Sequence, residues 1–146
     1  MNRIILIFIF VSGCVTHDFS TQQRTDKEIE SLLTGNWFVS PIDTYFYTKP
    51  GNAISSYTLG HEVFFIQYAD ADCELALLEA KAVWKVEQNK LFITVVGSTA
   101  PKLIPVGFTT TDEILYIDEN SMALRAIGND HTQLRTKTDT CKVRHL

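Results

Sequence analysis

Several residue types that mark special classes of protein are scarce in this chain of 146 residues. Seven glycines and four prolines are too few for a collagen-like or low-complexity chain. Charged residues make up 21% and hydrophobic residues 45%, a balance that excludes wholesale disorder. Lys and Arg (13) are outnumbered by Asp and Glu (17), and the net charge of −4 provides no basic surface for phosphates. We therefore expect no nucleic-acid partner.

Motifs of catalysis and cofactor binding are also missing. The chain has no Gly-x-Ser-x-Gly elbow, no phosphate-binding glycine loop and no His-Glu-x-x-His. His61 and Glu62 are adjacent, so on a strand they would point to opposite faces. Asp70, Asp72 and Glu74 alternate and could hold a hard cation, but a solvated turn is the favoured interpretation. We expect neither an enzyme nor a cofactor or metal site.

The longest apolar run lies at the N-terminus. Arg3 precedes eight consecutive apolar residues at 4–11, far fewer than the ~20 needed to span a bilayer. A positive start followed by about 7–15 apolar residues is typical of a secretory signal. The run leads into Val11-Ser12-Gly13-Cys14, which resembles the lipobox of bacterial lipoproteins. The alternatives are an ordinary signal peptide with a chance cysteine and an uncleaved apolar cap on the fold.

The lipobox resemblance implies an anchor. Residues 1–13 would be a signal peptide removed by signal peptidase II, and Cys14 would carry a diacylglyceryl group and an acyl chain such as palmitate. Several chains hold a protein on a bilayer stably, because each buried methylene contributes ~0.8 kcal/mol. Residues 14–24 would then be a lipidated tether to a domain at 25–146. Val15 rather than Asp follows the cysteine, which by resemblance favours the outer membrane, with the domain facing the periplasm.

Export would leave Cys73 and Cys141 as one pair in an oxidising compartment. A disulfide between them would close a loop of about 70 residues, worth ~4 kcal/mol in the chain-entropy model. Two buried free thiols or half of a metal site are the alternatives. Neither cysteine has Cys or His neighbours at zinc-finger spacing, so we predict the disulfide.

Local patterns predict one helix followed by strands. Thr25-Asp26-Lys27-Glu28 matches a capping box, and apolar residues at helical spacing follow it, which predicts a helix over 26–34 that ends before Gly35. A turn is predicted at 109–112. Strands are predicted at 37–41, 45–47, 54–59, 62–68, 91–96, 101–108, 114–118, 122–127 and 131–137.

Segment 73–87 fits two interpretations. Its helix propensity is high, and Asp72 could cap a helix. From Leu78 onward, however, apolar residues alternate with mostly charged ones, and Gln88-Asn89 forms a plausible hairpin turn. We predict strand–turn–strand, with a helical start over 73–80 as the open alternative. About nine short strands in all predict an all-β barrel or sandwich.

The short helix before Gly35-Asn36-Trp37 resembles the beginning of lipocalin and calycin barrels, which carry a Gly-x-Trp motif on their first strand. The hairpin at 84–91, and a mid-barrel cysteine paired with one in the C-terminal tail, are also similar to features of these families. The resemblance implies a small antiparallel lipocalin-like β-barrel with a short N-terminal helix. It also implies an arginine packed over Trp37, with Arg135 as first candidate and Arg125 as second.

Aromatic residues are concentrated in the first half of this domain, where they would fill the barrel or line an apolar pocket. The candidate ligand contacts are Tyr45, Tyr47, Tyr57, Phe64, Tyr68 and Trp84. Phe64 and Phe65 are consecutive, so one of them must face outward. Our leading hypothesis is a non-enzymatic, membrane-anchored binding module for a small hydrophobic ligand. The alternative is a protein–protein factor with a filled core, such as an inhibitor, immunity or envelope-assembly lipoprotein.

Overall fold

A computed structural model describes residues 24–39, 53–128 and 131–141. The described part contains α1 (Asp26–Leu33), β1 (Gly35–Val39), β2 (Ala53–Tyr57), β3 (Glu62–Tyr68), β4 (Ala76–Glu87), β5 (Lys90–Ser98), β6 (Thr109–Ile117), β7 (Ser121–Ala126) and β8 (Thr132–Lys137). Each strand pairs antiparallel with the next, and β8 pairs with β1 to close the barrel. The prediction of an all-β antiparallel barrel with a short N-terminal helix is confirmed.

Helix α1 lies against one end of the barrel, which we call the helix end. The predicted capping box at Thr25 is present, and Ile29 and Leu33 are buried in the barrel core. The Asp26 carboxylate accepts hydrogen bonds of 3.0 and 3.1 Å from the backbone N–H groups of the β4–β5 turn at 88–89. The helix is thereby tied to the strands that it covers. In the described part of the chain, no helix has the length and apolar character needed to cross a membrane.

Strand register decides which side chains face the barrel interior, because residues directly opposite each other on paired strands share a face. Trp37 is opposite Ser55, and Ala80 is opposite Ser98. The alternation predicted for the middle of the chain is confirmed, and β4 has no helical start. Its inward residues are Leu78, Ala80, Ala82, Trp84 and Val86, all buried.

Two apolar clusters form on opposite sides of the sheet. The larger fills the interior toward the helix end and includes Trp37, Trp84 and Met122. The smaller covers the outer face of β1–β3, and its members are Ile54, Ile66, Tyr68 and Cys141, with Phe38, Phe64 and Cys73 packed against them. The Sγ atoms of Cys73 and Cys141 lie at disulfide distance, with Cα atoms 5.7 Å apart. The predicted cysteine pair is therefore confirmed, and it joins the C-terminal segment to the loop before β4.

Two predictions on the second half of the chain are wrong. Residues 101–108 form turns rather than a strand, because Pro101 and Pro105 lack the N–H that a sheet requires and Gly107 has a φ of +87°. Residues 109–112, predicted as a turn, belong to β6 and pair with β5, as suits three β-branched threonines. The predicted strand at 45–47 lies outside the described residues.

The Gly-x-Trp motif forms the joint between α1 and the barrel. The Trp37 indole N–H donates to the Leu33 carbonyl oxygen at 2.7 Å, and the Lys137 ammonium donates to the Leu32 carbonyl oxygen at 3.0 Å. These bonds satisfy carbonyls at the helix C-terminus, where a cation is also favoured by the helix dipole. Lys137 Nζ lies 5.1 Å from the centroid of a Trp37 ring. The cation over this tryptophan is thus Lys137, and our assignment of Arg135 to that place is wrong.

Replacing Gly35 by alanine should cost on the order of 1–3 kcal/mol of unfolding free energy. Gly35 has a φ of +124°, and an added Cβ would lie 2.8 Å from Lys137 Cε. The lysine can move, but the backbone strain stays. Gly60→Ala is the matched control, since its Cβ would have only Thr58 Oγ1 nearby, at 3.7 Å. Urea unfolding of both variants tests this, and equal stabilities would contradict it.

Candidate functional site in the barrel interior

The residues that line the barrel interior become less apolar toward one end. We call this the far end; it lies opposite α1 and carries the loops 69–75 and 99–108. The larger apolar cluster reaches this end through Ile104 of the loop 99–108, which packs against it. The inward residues in this half are mostly small or polar, and several retain solvent exposure although they face into a closed barrel. The half-buried inward residues are Phe65, Ser98, Thr110, Ala126, Gln133 and Arg135. These inward side chains therefore remain in partial contact with solvent.

Arg135 is the centre of a polar network in this half. Its Nη1 donates to Ser55 Oγ at 3.4 Å and to the Tyr57 hydroxyl at 3.2 Å, while its Nη2 donates to Gln133 Oε1 at 2.9 Å. Tyr57 lies opposite Gly35 on β2, so its ring packs near the helix end and its hydroxyl reaches toward the arginine. The network joins β2 to β8 across β1.

Buried polar atoms without partners lie in the same half. Among the described residues, Arg135 Nε and Gln67 Oε1 are buried and have no hydrogen-bond partner. Gln67 is only 2% exposed and faces inward, opposite Ala53 and Leu78. A buried polar group without a partner costs about 1–3 kcal/mol, so proteins rarely keep one without a reason. A bound molecule with polar groups would relieve these atoms.

Asp112 is the acidic residue of this interior. It is buried and faces inward from β6, opposite Leu91. Desolvation by burial raises the pKa of Asp112 above its usual value of 3.8, although the Arg135 charge acts in the opposite direction. Burial also raises the pKa of Tyr57 above 10.0, against a lowering effect of Arg135. The tyrosine therefore remains a neutral hydroxyl at physiological pH.

Asp112→Asn should raise the stability of the protein at neutral pH. The folded-state pKa of Asp112 is raised, so its favourable contribution holds at low pH and is lost as the pH rises through that pKa. Below pH 3.8 the variant and the wild type should converge. The control is Asp118→Asn, which should lower the stability at neutral pH. Backbone N–H bonds from Asn120 and Ser121 lower the pKa of Asp118, so its charged form stabilises the fold. Urea unfolding across pH tests both, and destabilisation by Asp112→Asn at neutral pH would contradict the account.

The structure brings together only some of the residues expected to contact a ligand. Tyr57 and Trp84 face inward and pack edge to face, with ring centroids 5.7 Å apart. Phe64 and Tyr68 belong to the outer cluster, so our expectation that they line the interior is wrong. Phe65, not Phe64, is the inward member of the pair. Tyr45, Tyr47 and Cys14 lie outside the described residues.

Other candidate positions have structural roles on the surface. Arg125, the second candidate for the tryptophan contact, faces outward and pairs with Glu113 at 2.5 Å. The Asp70 carboxylate accepts backbone hydrogen bonds from Glu74 and Leu75 at 3.0 and 2.9 Å, which lower its pKa and hold the loop before β4. Within residues 24–39, 53–128 and 131–141, no three His, Cys, Asp or Glu residues form a group that could hold a metal ion.

Sequence reasoning missed Gln67, Asp112 and Gln133 altogether. Strand β8 departs from the usual rule that apolar side chains face the interior. Gln133, Arg135 and Lys137 face inward, while Leu134 is 66% exposed. The available signal was the alternation of long polar residues at 133, 135 and 137, which indicates one polar face. Nothing in the sequence says that this face is the inner one.

No protein-family model matches the chain, and no curated protein matches it. The barrel interior and the N-terminal motif are therefore the features that bear on function.

Proposed function

We propose that this protein is a non-enzymatic binding module that holds a small hydrophobic ligand in the far half of its barrel and is anchored to the cell envelope by lipid. The observation that carries the proposal is the partial exposure of inward residues in the far half of a closed barrel. An eight-stranded barrel is just wide enough either to be filled by side chains or to hold one small ligand. Small inward residues in this half, among them Ala53, Ala80 and Ser98, favour the second arrangement.

The exposed apolar residues also favour an apolar ligand. Most of the large hydrophobic side chains exposed in the described residues lie near the far end: Leu75, Leu77, Val96, Leu103, Val106, Phe108 and Ile127. An apolar molecule that enters between such side chains remains shielded from water along its path. Exposed apolar side chains are unfavourable in water, and patches of them often mark binding sites.

The envelope location is supported by two independent features. The lipobox-like Val11-Ser12-Gly13-Cys14 predicts acylation of Cys14 and contact with the bilayer, the outer membrane being favoured by Val15. The cysteine pair at 73 and 141 suits an oxidising compartment such as the periplasm. Location in the cell envelope suits a carrier of apolar molecules, since lipids are abundant there.

Cys14→Ala should abolish lipid attachment. Metabolic labelling with radioactive palmitate is expected to mark the wild type and not the variant, which should keep its residues 1–13 because signal peptidase II requires the lipidated cysteine. Cys73→Ser is the matched control and should be labelled like the wild type. Equal labelling of wild type and Cys14→Ala would contradict the anchor.

A lumen-filling substitution tests ligand binding. Full-chain protein in phosphatidylcholine vesicles is exposed to a neutral, photoreactive long-chain alcohol, and the labelled peptides are mapped. We expect labelling of inward residues on β2, β4 and β8 in the wild type and a severalfold loss in Ala80→Phe. Val83→Phe, on the same strand but facing outward and 44% exposed, is the matched control.

Stability separates this function from the alternative of a protein–protein factor. The exposed apolar side chains of the far end are the observation that favours the alternative, because they could contact an envelope protein. A filled core would make Ala80→Phe an overpacked variant, destabilised by about 1–3 kcal/mol. An accessible lumen accepts the ring with near-wild-type stability. Strong destabilisation together with an unlabelled interior would favour the protein–protein factor.

A further inference from the structure

The segment that joins β5 to β6 at the far end, residues 99–108, carries large apolar side chains on its surface; we call it the β5–β6 loop. Leu103, Val106 and Phe108 are 48%, 60% and 52% exposed. The one charged residue of the loop is Lys102, which is also exposed. The loop therefore presents three large apolar side chains to water together with a single positive charge.

The backbone of the β5–β6 loop satisfies most of its own hydrogen bonds. Two of its ten residues are prolines, which have no N–H, and six of the other eight donate to acceptors within the described residues. These six donors are Thr99, Ala100, Leu103, Ile104, Gly107 and Phe108. The Ile104 side chain also packs against the larger apolar cluster, which fixes the loop to the barrel.

This backbone bonding matters most where water is scarce. An unpaired N–H costs several kcal/mol in the hydrocarbon of a bilayer, which supplies no acceptors. A partner protein can offer carbonyl oxygens of its own, so it makes no such demand on a loop. A preformed, internally bonded loop with apolar side chains therefore suits a lipid surface better than a protein surface.

The charges of the far end also suit a lipid surface at one side. Lys102 has a long apolar stem and an ammonium that can reach lipid phosphates while neighbouring apolar side chains lie deeper. Loop 69–75 at the same end carries Asp70, Asp72 and Glu74, which remain in water and disfavour strongly anionic membranes. We therefore expect contact through the β5–β6 loop and with lipids whose head groups are largely zwitterionic.

The length of chain before α1 permits this contact. The chain enters the domain at the helix end, where Asp26 bonds to the β4–β5 turn. The tether at 14–24 reaches at most about 36–40 Å when fully extended. Strand β4 has twelve residues and, at the usual tilt of barrel strands, spans about 30 Å along the barrel axis. A nearly extended tether can thus pass along the barrel and let the far end meet the bilayer that holds Cys14.

We propose that the β5–β6 loop docks on the lipid bilayer in which Cys14 is anchored, with its exposed apolar side chains at the boundary between head groups and acyl chains. This inference rests on the lipid anchor of the proposed function. The acyl chains and the loop are two separate membrane-binding signals, and together they fix the orientation of the domain as well as its location. In this orientation the far end of the barrel faces the bilayer, so an apolar molecule passes between them with little exposure to water.

Tryptophan reporters test the docked orientation. Full-chain protein carrying Val106→Trp is placed in vesicles of phosphatidylcholine brominated on its acyl chains, which quench tryptophans that touch them. We expect loss of most of the added fluorescence relative to unbrominated vesicles. Leu59→Trp, in the exposed turn after β2 at the helix end, is the matched control and should keep its fluorescence. The two native tryptophans are buried and give a constant background.

Two changes in the Val106→Trp protein identify the cause of the quenching. Leu103→Asp puts a negative charge in the loop and should abolish the quenching, whereas Leu134→Asp, on the exposed outer face of β8, should not. Deletion of residues 17–22 shortens the tether to a reach of about 18 Å, so it should also abolish the quenching while palmitate labelling of Cys14 continues. If Val106→Trp does not fold, as judged by circular dichroism, Leu103→Trp is the reporter and Phe108→Asp the loop variant.

The outcomes separate docking from the anchor. Palmitate labelling of Cys14 without quenching of the loop reporter would overturn docking, leave the anchor standing and favour a protein partner for the far end. Equal quenching at both ends, or quenching that survives the shortened tether, would also overturn docking on the anchoring bilayer. Quenching of the loop reporter alone in protein that is not labelled by palmitate would overturn the anchor and leave a loop that binds bilayers by itself. Neither labelling nor quenching would overturn both.

Discussion

Replacing Trp37 by alanine should lower the free energy of unfolding by about 3–5 kcal/mol. The side chain is fully buried where α1 meets the barrel, and its indole N–H bonds to the Leu33 carbonyl oxygen. Alanine would leave a cavity under the helix, an unsatisfied carbonyl at the helix end and the Lys137 ammonium without the ring beside it. Urea unfolding of the full chain, followed by near-ultraviolet circular dichroism, measures the loss.

Two further variants identify the source of this effect. Trp37→Phe keeps most of the apolar volume but loses the indole donor, so it should cost less than alanine. Phe108→Ala removes a side chain that is 52% exposed in the loop before β6, and its effect should stay within about 0.5 kcal/mol. A Trp37→Ala variant as stable as Phe108→Ala would contradict the role of the Gly-x-Trp motif.

Removing the disulfide should lower the free energy of unfolding about as much as Trp37→Ala does. Cys73 and Cys141 are 68 residues apart, and the chain-entropy model assigns about 4 kcal/mol to closing a loop of this length. The pair also holds Cys141, which is 2% exposed, over Ile54 and Ile66 on the outer face of the sheet. We expect Cys73→Ser/Cys141→Ser to unfold at a markedly lower urea concentration than the wild type.

Reduction provides the control for this second variant. Wild-type protein treated with dithiothreitol should match the double serine variant, because both lack the same covalent link. The double variant itself should not respond to dithiothreitol. A loss below about 1 kcal/mol would mean that the C-terminal segment is held by packing alone and that the unfolded chain gains little from the missing link.

Local signals in the sequence were sufficient to predict most of the fold. The capping box at Thr25 and the alternation from Leu78 to Val86 each depend on neighbours a few residues away, and both are confirmed. The prediction for residues 101–112 is wrong because prolines and threonines occur in strands or in turns according to what they pair with. Only the pairing of 109–112 with β5 decides between them.

The candidate site was less predictable because it depends on which face of a strand turns inward. The resemblance predicts Arg135 beside Trp37, yet its partner is Tyr57, some eighty residues away in sequence. Lys137 takes the place over the tryptophan because β8 pairs with β1 in a register that sets Lys137 opposite Trp37. Register between the first and last strands of a barrel leaves no local trace in the sequence.

Native mass spectrometry of the mildly extracted, full-length protein tests the binding function most directly. The covalent mass expected from the proposal includes the acyl groups on Cys14 and the Cys73–Cys141 bond. The account predicts an additional mass of one small molecule that is lost on denaturation and reduced in Ala80→Phe but not in Val83→Phe. The covalent mass alone, in protein that also takes up nothing from a lipid extract, would contradict the account and favour a filled barrel that acts through a protein partner.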